Sequence, residues 1–410
     1  MSLLTGRLAR EARTALAEVS ERYLRLRPSR VPDASLSRGH AALALVHMAL
    51  ERVFPGAGHV AHAERAVGRA IAQLARAPAR LALYPGVAGI GWVVNHLVDA
   101  GADGDEDLGA PFDLAIERAL ARRRWGRSFD LIEGLVGLGV YALARLPRPR
   151  AKLLLAQVTE HLAARAEPRA PGVAWRSDPR WVPAGMRERP HLTWNLGVAH
   201  GVPGVIALLG HVAAAELDAR TTRTARSLAR DAVAWLLAQE LPGSSPGCFA
   251  VGVGRGVAQE PARLAWCYGD PGIAGALLAA ARSAGEPAWE EAALRIALRA
   301  AARPAHGSGV RDAGLCHGAA GLAHIFHRLH RATGEPRLAT AARAWFAQTL
   351  ALRTPGRGFG GFRAYGPDRA GRPRWYADPG FLTGTAGIAL ALVAATTDAD
   401  PAWDRVLLLS

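Results

Sequence analysis

Three cysteines stand in the sequence, and two of them share a setting that the third lacks. Cys267 lies in WCYG (Trp266 to Gly269) and Cys316 in CHG (Cys316 to Gly318), each two residues before a glycine that opens an apolar run. His317 adds an imidazole beside the second sulfur. Two thiolates and one imidazole are soft ligands suited to Zn²⁺, and three protein ligands leave a fourth tetrahedral position for substrate or water. That is the pattern of a catalytic metal centre. The competing reading makes both cysteines small buried hydrophobes and His317 a helix cap. Cys248, in the turn-rich PGSSPGCFA, has no such register and reads as a free structural thiol.

Further candidates flank equivalent glycines. His200, in AHG (Ala199 to Gly201), directly precedes Gly201, where general acid or base work is plausible, although a histidine at an apolar helix start is often a hydrogen-bonded core residue. Asp130, four residues before Gly134, could accept a proton from His200 and orient its ring, or could simply cap a helix. Arg263 precedes Cys267 by four residues and Tyr268 follows it, so both could reach an anionic intermediate beside a metal. His324, His327 and His330 follow helical spacing after CHG and read as one helix flank rather than a second ligand set.

The elements that must position these groups come from a repeat: a glycine, two residues, a second glycine or alanine, then a run rich in Ala, Leu, Val and Ile. It occurs seven times, with first glycines at Gly39, Gly86, Gly134, Gly201, Gly269, Gly318 and Gly384. Amphipathic stretches such as TARSLARDAVAWLLAQEL lie between the copies, so each repeat predicts a helix pair: a buried apolar helix and a partner with one wet face. Gly285-Glu-Pro287 and Gly334-Glu-Pro336 each fall 16 residues past their copy's glycine, marking matched helix stops and starts. Copies one and seven look like ordinary members rather than polar caps, which favours a closed double ring of seven inner and seven outer helices over an open solenoid. Inner helices would then begin at one end, where their partial positive charge favours thiolates and oxyanions.

Composition narrows the class. Half the 410 residues are hydrophobic, enough for a large core and too many for disorder. The formal charge of +15 rests on arginines spread along the whole chain, Lys152 being the only lysine. It reads as residue usage rather than a nucleic-acid stripe, with an acidic peptide or protein partner as the alternative. Three cysteines exclude a disulfide framework, and a charged N-terminus without an apolar core predicts no signal peptide or anchor, hence the cytoplasm. The uncharged stretch from His191 to Ala215 contains Asn195, His200 and Pro203 and reads as a buried loop plus core helix, not a membrane span. Three long connections, Glu167 to Leu196, Leu241 to Ala262 and Arg353 to Phe381, are rich in Trp, Arg, Pro and Gly and predict a substrate-facing rim.

With these motifs in place, the sequence resembles the lanthionine synthetase C-like family, most closely in NLGVAHGVPG, RLAWCYGDPG, GLCHGAAGLAHIF and FLTGTAGIALAL. The resemblance implies an all-α fold, an α/α toroid in a single domain over residues 1–410, with Zn²⁺ near one end of the central cavity. It matches Cys267, Cys316 and His317 to the family's metal ligands, and His200, Asp130, Arg263 and Tyr268 to positions around the metal. The implied activity is a zinc-dependent lanthionine synthetase: cysteine thiols add to dehydroalanine or dehydrobutyrine of a dehydrated precursor peptide, forming thioether rings. With no segment left for a fused dehydratase, a separate dehydratase is the expected partner.

Two other functions share this pattern. One is an enzyme of the cyclase-like branch that couples free glutathione to dehydrated residues; the other is a non-catalytic zinc toroid that binds a peptide. A glycosidase or terpenoid cyclase on the same architecture would need paired or clustered carboxylates beside the glycine turns, which the sequence hardly provides.

Overall fold

The computed structural model describes residues 2–76, 79–98, 107–178, 193–368 and 371–410. Among them, fourteen α-helices alternate between two kinds. The apolar kind follows the glycine turns: α2 (His40–Glu51), α4 (Val87–Val98), α6 (Leu135–Ala144), α8 (Val202–Ala214), α10 (Asp270–Ala284), α12 (Ala319–Thr333) and α14 (Thr385–Thr396). These are buried nearly all round; in α14, Thr385 through Ala395 are all buried. The amphipathic kind comprises α1 (Gly6–Leu24), α3 (His59–Leu74), α5 (Ala110–Leu120), α7 (Pro149–Arg165), α9 (Ala219–Leu237), α11 (Pro287–Ala302) and α13 (Pro336–Ala351). These bury one stripe, as α9 does with Thr221, Ala225, Ala229, Ala232, Val233 and Leu236. The matched stops are real turns: Gly285 and Gly334 close α10 and α12 in the left-handed region, with Pro287 and Pro336 opening the next helices.

The chain divides into two compact units, one of Met1–Arg80, Pro85–Gly101 and Ala305–Trp403, the other of Leu81–Tyr84, Ala102–Pro304 and Asp404–Ser410. In the first, α14 packs against both α12 and α2, so the last repeat sits beside the first. The Phe381 N–H donates to the Ser37 carbonyl at 2.8 Å, joining their turns. In the second, α8 packs against both α6 and α10, and α7, α9 and α11 cover them. Trp266 anchors this unit's C-terminal segment, its indole N–H donating to the Leu407 carbonyl at 2.9 Å.

Most glycines of the repeat have a mechanical reason. A Cβ on Gly134, Gly201, Gly269 or Gly384 would lie closer than 3 Å to the carbonyl oxygen six residues earlier, on Ser128, Asn195, Arg263 or Asp378. The second glycines repeat the relation: Gly137, Gly204, Gly272, Gly321 and Gly387 press on the carbonyls of Leu131, Val198, Trp266, Leu315 and Phe381. The turn folds back so tightly that hydrogen is the only side chain that fits. Gly269 adds a conformational requirement, with φ at +105°.

This tight return occupies the first N–H groups of α12 and α6. In α12, the N–H groups of Ala319, Ala320 and Gly321 donate to the carbonyls of Asp312, Ala313 and Gly314 at 2.9, 3.3 and 3.3 Å. In α6, Leu135, Val136 and Gly137 repeat the pattern onto Ser128, Phe129 and Asp130. In α6 and α12 the first helical donors are thus taken by their own turns rather than left for a thiolate or oxyanion.

The long connections carry short antiparallel strand pairs that the sequence did not reveal. β1 (Glu167–Arg169) pairs with β2 (Gly172–Ala174), β3 (Trp194–Asn195) with β4 (Gly252–Val253), and β5 (Ala364–Pro367) with β6 (Pro373–Tyr376), all antiparallel. Part of the first connection, residues 179–192, lies outside the described residues. Among the described residues no helix is long and apolar enough to cross a membrane; the uncharged stretch becomes β3, a turn and the 13-residue α8.

Candidate metal centre

The potential metal ligands come from the turns before α10 and α12. Cys316 is placed by a backbone hydrogen bond, its N–H donating to the Leu382 carbonyl at 2.7 Å. Asp312 shapes the same turn from its start: Oδ1 accepts the Gly314 N–H at 3.0 Å and Oδ2 the Tyr365 N–H at 2.8 Å. Cys267 is buried at the end of the segment that Trp266 anchors, just before Gly269.

Cys267, Cys316 and His317 each offer a ligand atom, and these atoms lie within 4.8 Å of one another. Tetrahedral bonds of about 2.3 Å to sulfur and 2.0 Å to nitrogen hold ligand atoms about 3.5–4 Å apart, so a small adjustment closes the trio on one ion. Two thiols and an imidazole suit a borderline-soft cation, and the partial exposure of Cys316 and His317 leaves a side for a further ligand. The donor set fits zinc.

The turn before α8 holds a second group of polar side chains. His200 Nδ1 and Asp130 Oδ2 are 2.7 Å apart, and the other Asp130 oxygen accepts the Glu133 N–H at 2.7 Å. Asp130 is almost fully buried, whereas His200 keeps 17 % of its side chain exposed. Burial pulls the imidazole pKa down, but the adjacent Asp130 carboxylate more than offsets it by charge and hydrogen bond, so the pKa stands above the ordinary histidine value. With Nδ1–H directed at Asp130, Nε2 is the nitrogen left to take or give a proton.

Tyr268 is buried beside Cys267, its ring 6.5 Å from that of His200 between centroids. Its hydroxyl oxygen accepts from Asn195 Nδ2 at 2.9 Å, a partner that sequence reasoning did not single out. A buried asparagine in an otherwise uncharged stretch was the available signal. Gly197 lets the two turns touch, because a Cβ there would crowd the Cys267 carbonyl and the Tyr268 ring. Arg263 is exposed, and among the described residues no hydrogen bond ties its guanidinium to His200, Asp130 or Tyr268. The structure therefore links Asp130 to His200 and Tyr268 to Asn195, with Arg263 exposed at the start of the Gly269 turn.

The remaining candidates are structural. Burial pushes the Cys248 thiol up to about 12, and its backbone N–H is held by Asp270 at 2.8 Å. His324 and His327 are buried in α12 rather than on a flank; His324 stacks on Trp403 at 4.7 Å, and burial drives the His327 pKa down to about 3.

Comparisons with known proteins bear on the fold and the family. The chain resembles the solved structure of nisin cyclase with a TM-score of 0.75 and 19 % identity, over 98 % of this chain and 97 % of that one. It also resembles a cellobiose 2-epimerase from Bacillus thermoamylovorans B4167, with a TM-score of 0.49 and 9 % identity over 94 % and 98 % of the two chains. The fold is an α/α toroid, as the repeats led us to expect. The family described as lanthionine synthetase C-like protein matches residues 30–408, and the chain belongs to it.

Proposed function

We propose that this chain is a zinc-dependent lanthipeptide cyclase that adds cysteine thiols to dehydroalanine or dehydrobutyrine of a dehydrated precursor peptide, closing (methyl)lanthionine rings. The observation that carries the reading is the Cys267, Cys316 and His317 trio. Family membership and the His200–Asp130 pair support it. In this reading residues 1–410 act as one domain in the cytoplasm, and a separate dehydratase supplies the unsaturated residues.

A zinc ion held by Cys267, Cys316 and His317 supplies the Lewis acidity that keeps an incoming cysteine sulfur in its thiolate form. The substrate sulfur forms a bond to the β-carbon of the unsaturated residue, and the π electrons move through the α-carbon onto the carbonyl oxygen. The resulting enolate needs donors, which Tyr268 supplies as a phenol and Arg263 as a guanidinium after movement of its exposed side chain. The enolate collapses when the α-carbon takes a proton. His200, primed by Asp130, and Tyr268 are the two residues that exchange the thiol proton and the α-carbon proton through Nε2 and the hydroxyl. The net change adds S–H across C=C with no loss of atoms.

Because product and substrate share one mass, the test counts thiols. Purified zinc-loaded protein is incubated with a dehydrated peptide containing cysteine, and the free thiol is titrated with an alkylating reagent. The expected result is loss of alkylation with wild type and its retention with His200→Ala. Full zinc occupancy without thiol consumption for any dehydrated peptide would overturn the proposal, and adducts formed only when glutathione is supplied would reassign the nucleophile.

A further inference from the structure

Five of the seven turns begin with the same local bond. Six residues before the first glycine, a side-chain oxygen accepts the backbone N–H two residues on: Asp33 from Ser35 at 2.8 Å, Ser128 from Asp130 at 3.3 Å, Asn195 from Gly197 at 2.7 Å, Asp312 from Gly314 at 3.0 Å and Asp378 from Gly380 at 2.7 Å. Aspartate makes this turn in three copies, so folding does not require an amide at Asn195. The amide differs from aspartate only in its NH₂, and that NH₂ meets Tyr268 Oη at 2.9 Å.

The bond direction is fixed. A backbone N–H can only donate, so the Asn195 atom facing Gly197 is its carbonyl oxygen and the atom facing Tyr268 is nitrogen. Nitrogen donates, so the tyrosine oxygen accepts through a lone pair and its own O–H is kept from pointing at Asn195. Asn195 is 3 % exposed, so this arrangement is shielded from bulk solvent.

We infer that Asn195 is a positioning residue that forces the Tyr268 hydroxyl to act as a hydrogen-bond donor toward the reacting groups. The inference rests on the cyclase reading and deepens it, naming Tyr268 as the phenol that serves the enolate. An aspartate here would reverse the polarity: its carboxylate would take the tyrosine proton as a hydrogen bond and turn the hydroxyl away, while the Gly197 N–H kept its acceptor.

The decisive variant is Asn195→Asp, with Tyr268→Phe and the double variant completing a cycle, all zinc-loaded and assayed by thiol consumption. We expect Asn195→Asp to retain zinc stoichiometry and thermal midpoint and to lose about 10²-fold or more in kcat, the usual worth of a placed proton donor, with KM little changed. In the Tyr268→Phe background the same substitution should change kcat by less than about twofold, because no hydroxyl remains to redirect. Asn195→Ser, which keeps a turn acceptor without the carboxylate, should recover part of the loss. Equal losses in both backgrounds, or wild-type kcat in Asn195→Asp, would overturn the inference. Failure of wild type itself to consume thiol would instead overturn the proposed function.

Discussion

The turns before α12 and α14 are built alike and equipped differently. Both open with an aspartate that accepts an N–H two residues on, both donate the first helical N–H to that aspartate's carbonyl, and both press two glycines onto carbonyls or side-chain oxygen of their own turn. At the two positions before the first glycine, one has Cys316 and His317 and the other Leu382 and Thr383. The two are joined, since Cys316 N–H donates to Leu382 O. The turn's fold and its candidate ligands are thus written at different positions of one motif, and the Leu382 copy holds the backbone of the one that carries Cys316 and His317.

The largest effect that separates them is expected from Cys316→Ala against Leu382→Ala. The first should abolish bound zinc, measured by elemental analysis, and reduce cyclisation by more than the roughly 100-fold that loss of an outer partner costs a metal site. The second should keep one zinc per chain and lose about 1–2 kcal/mol of stability as half-buried apolar surface is removed. Zinc loss from Leu382→Ala would show that the two positions are not separable.

Next come the aspartates. Asp312 is buried at 2 % exposure and serves the Gly314 and Tyr365 N–H groups, whereas Asp378 is partly exposed and serves Gly380 and the Thr383 hydroxyl. Asp312→Ala should cost about 2–4 kcal/mol in chemical denaturation, more than Asp378→Ala, because it strands one buried and one part-buried donor. It should also weaken zinc retention against a chelator, an effect that Asp378→Ala should not share.

Gly318→Ala and Gly384→Ala test the sameness of the turns. Each new Cβ would lie closer than 3 Å to atoms six or four residues earlier, so each should cost about 1–3 kcal/mol. A difference of more than about 1 kcal/mol between them would mean that the reactive turn is strained relative to the plain one.

The smallest effect is shared by the scaffold. Burial, followed by the charges of His59, His62 and Arg65, holds His47 down to about 3; burial, then His324 and nearby arginines, does the same for His327; and burial with Arg405 holds His211 to about 4. Unfolded histidines titrate near 6.5, so between there and about 3 the unfolded chain binds more protons. Stability from these groups is therefore complete above pH 6.5 and declines as pH falls toward 3. Thermal midpoints measured across that window should drop on acidification, and a flat profile would count against neutral burial of these rings.

Much of this was legible in the sequence because the glycine pairs and apolar runs obey one register, and the register alone puts Cys267 and Cys316 at equivalent places. Seven helix pairs follow from the same pattern. Asn195 was hidden because the position that starts each turn is spelled Asp, Arg, Ser, Asn, Arg, Asp and Asp in chain order, and only the fold reveals that five of these make one bond. The strand pairs were hidden because strands of two to four residues carry no periodicity of their own. The occupied N-termini of α6 and α12 and the exposed side chain of Arg263 are matters of how a loop returns, which spacing does not report.

The self-contained turn has an engineering consequence. Since the first two amides of α14, on Thr385 and Ala386, donate to the Asp378 and Gly380 carbonyls of their own loop, the pair Leu382 and Thr383 is an interchangeable socket whose contents leave that backbone wiring untouched. New ligands or nucleophiles could be installed there one copy at a time, with the helices beneath indifferent to what the socket holds.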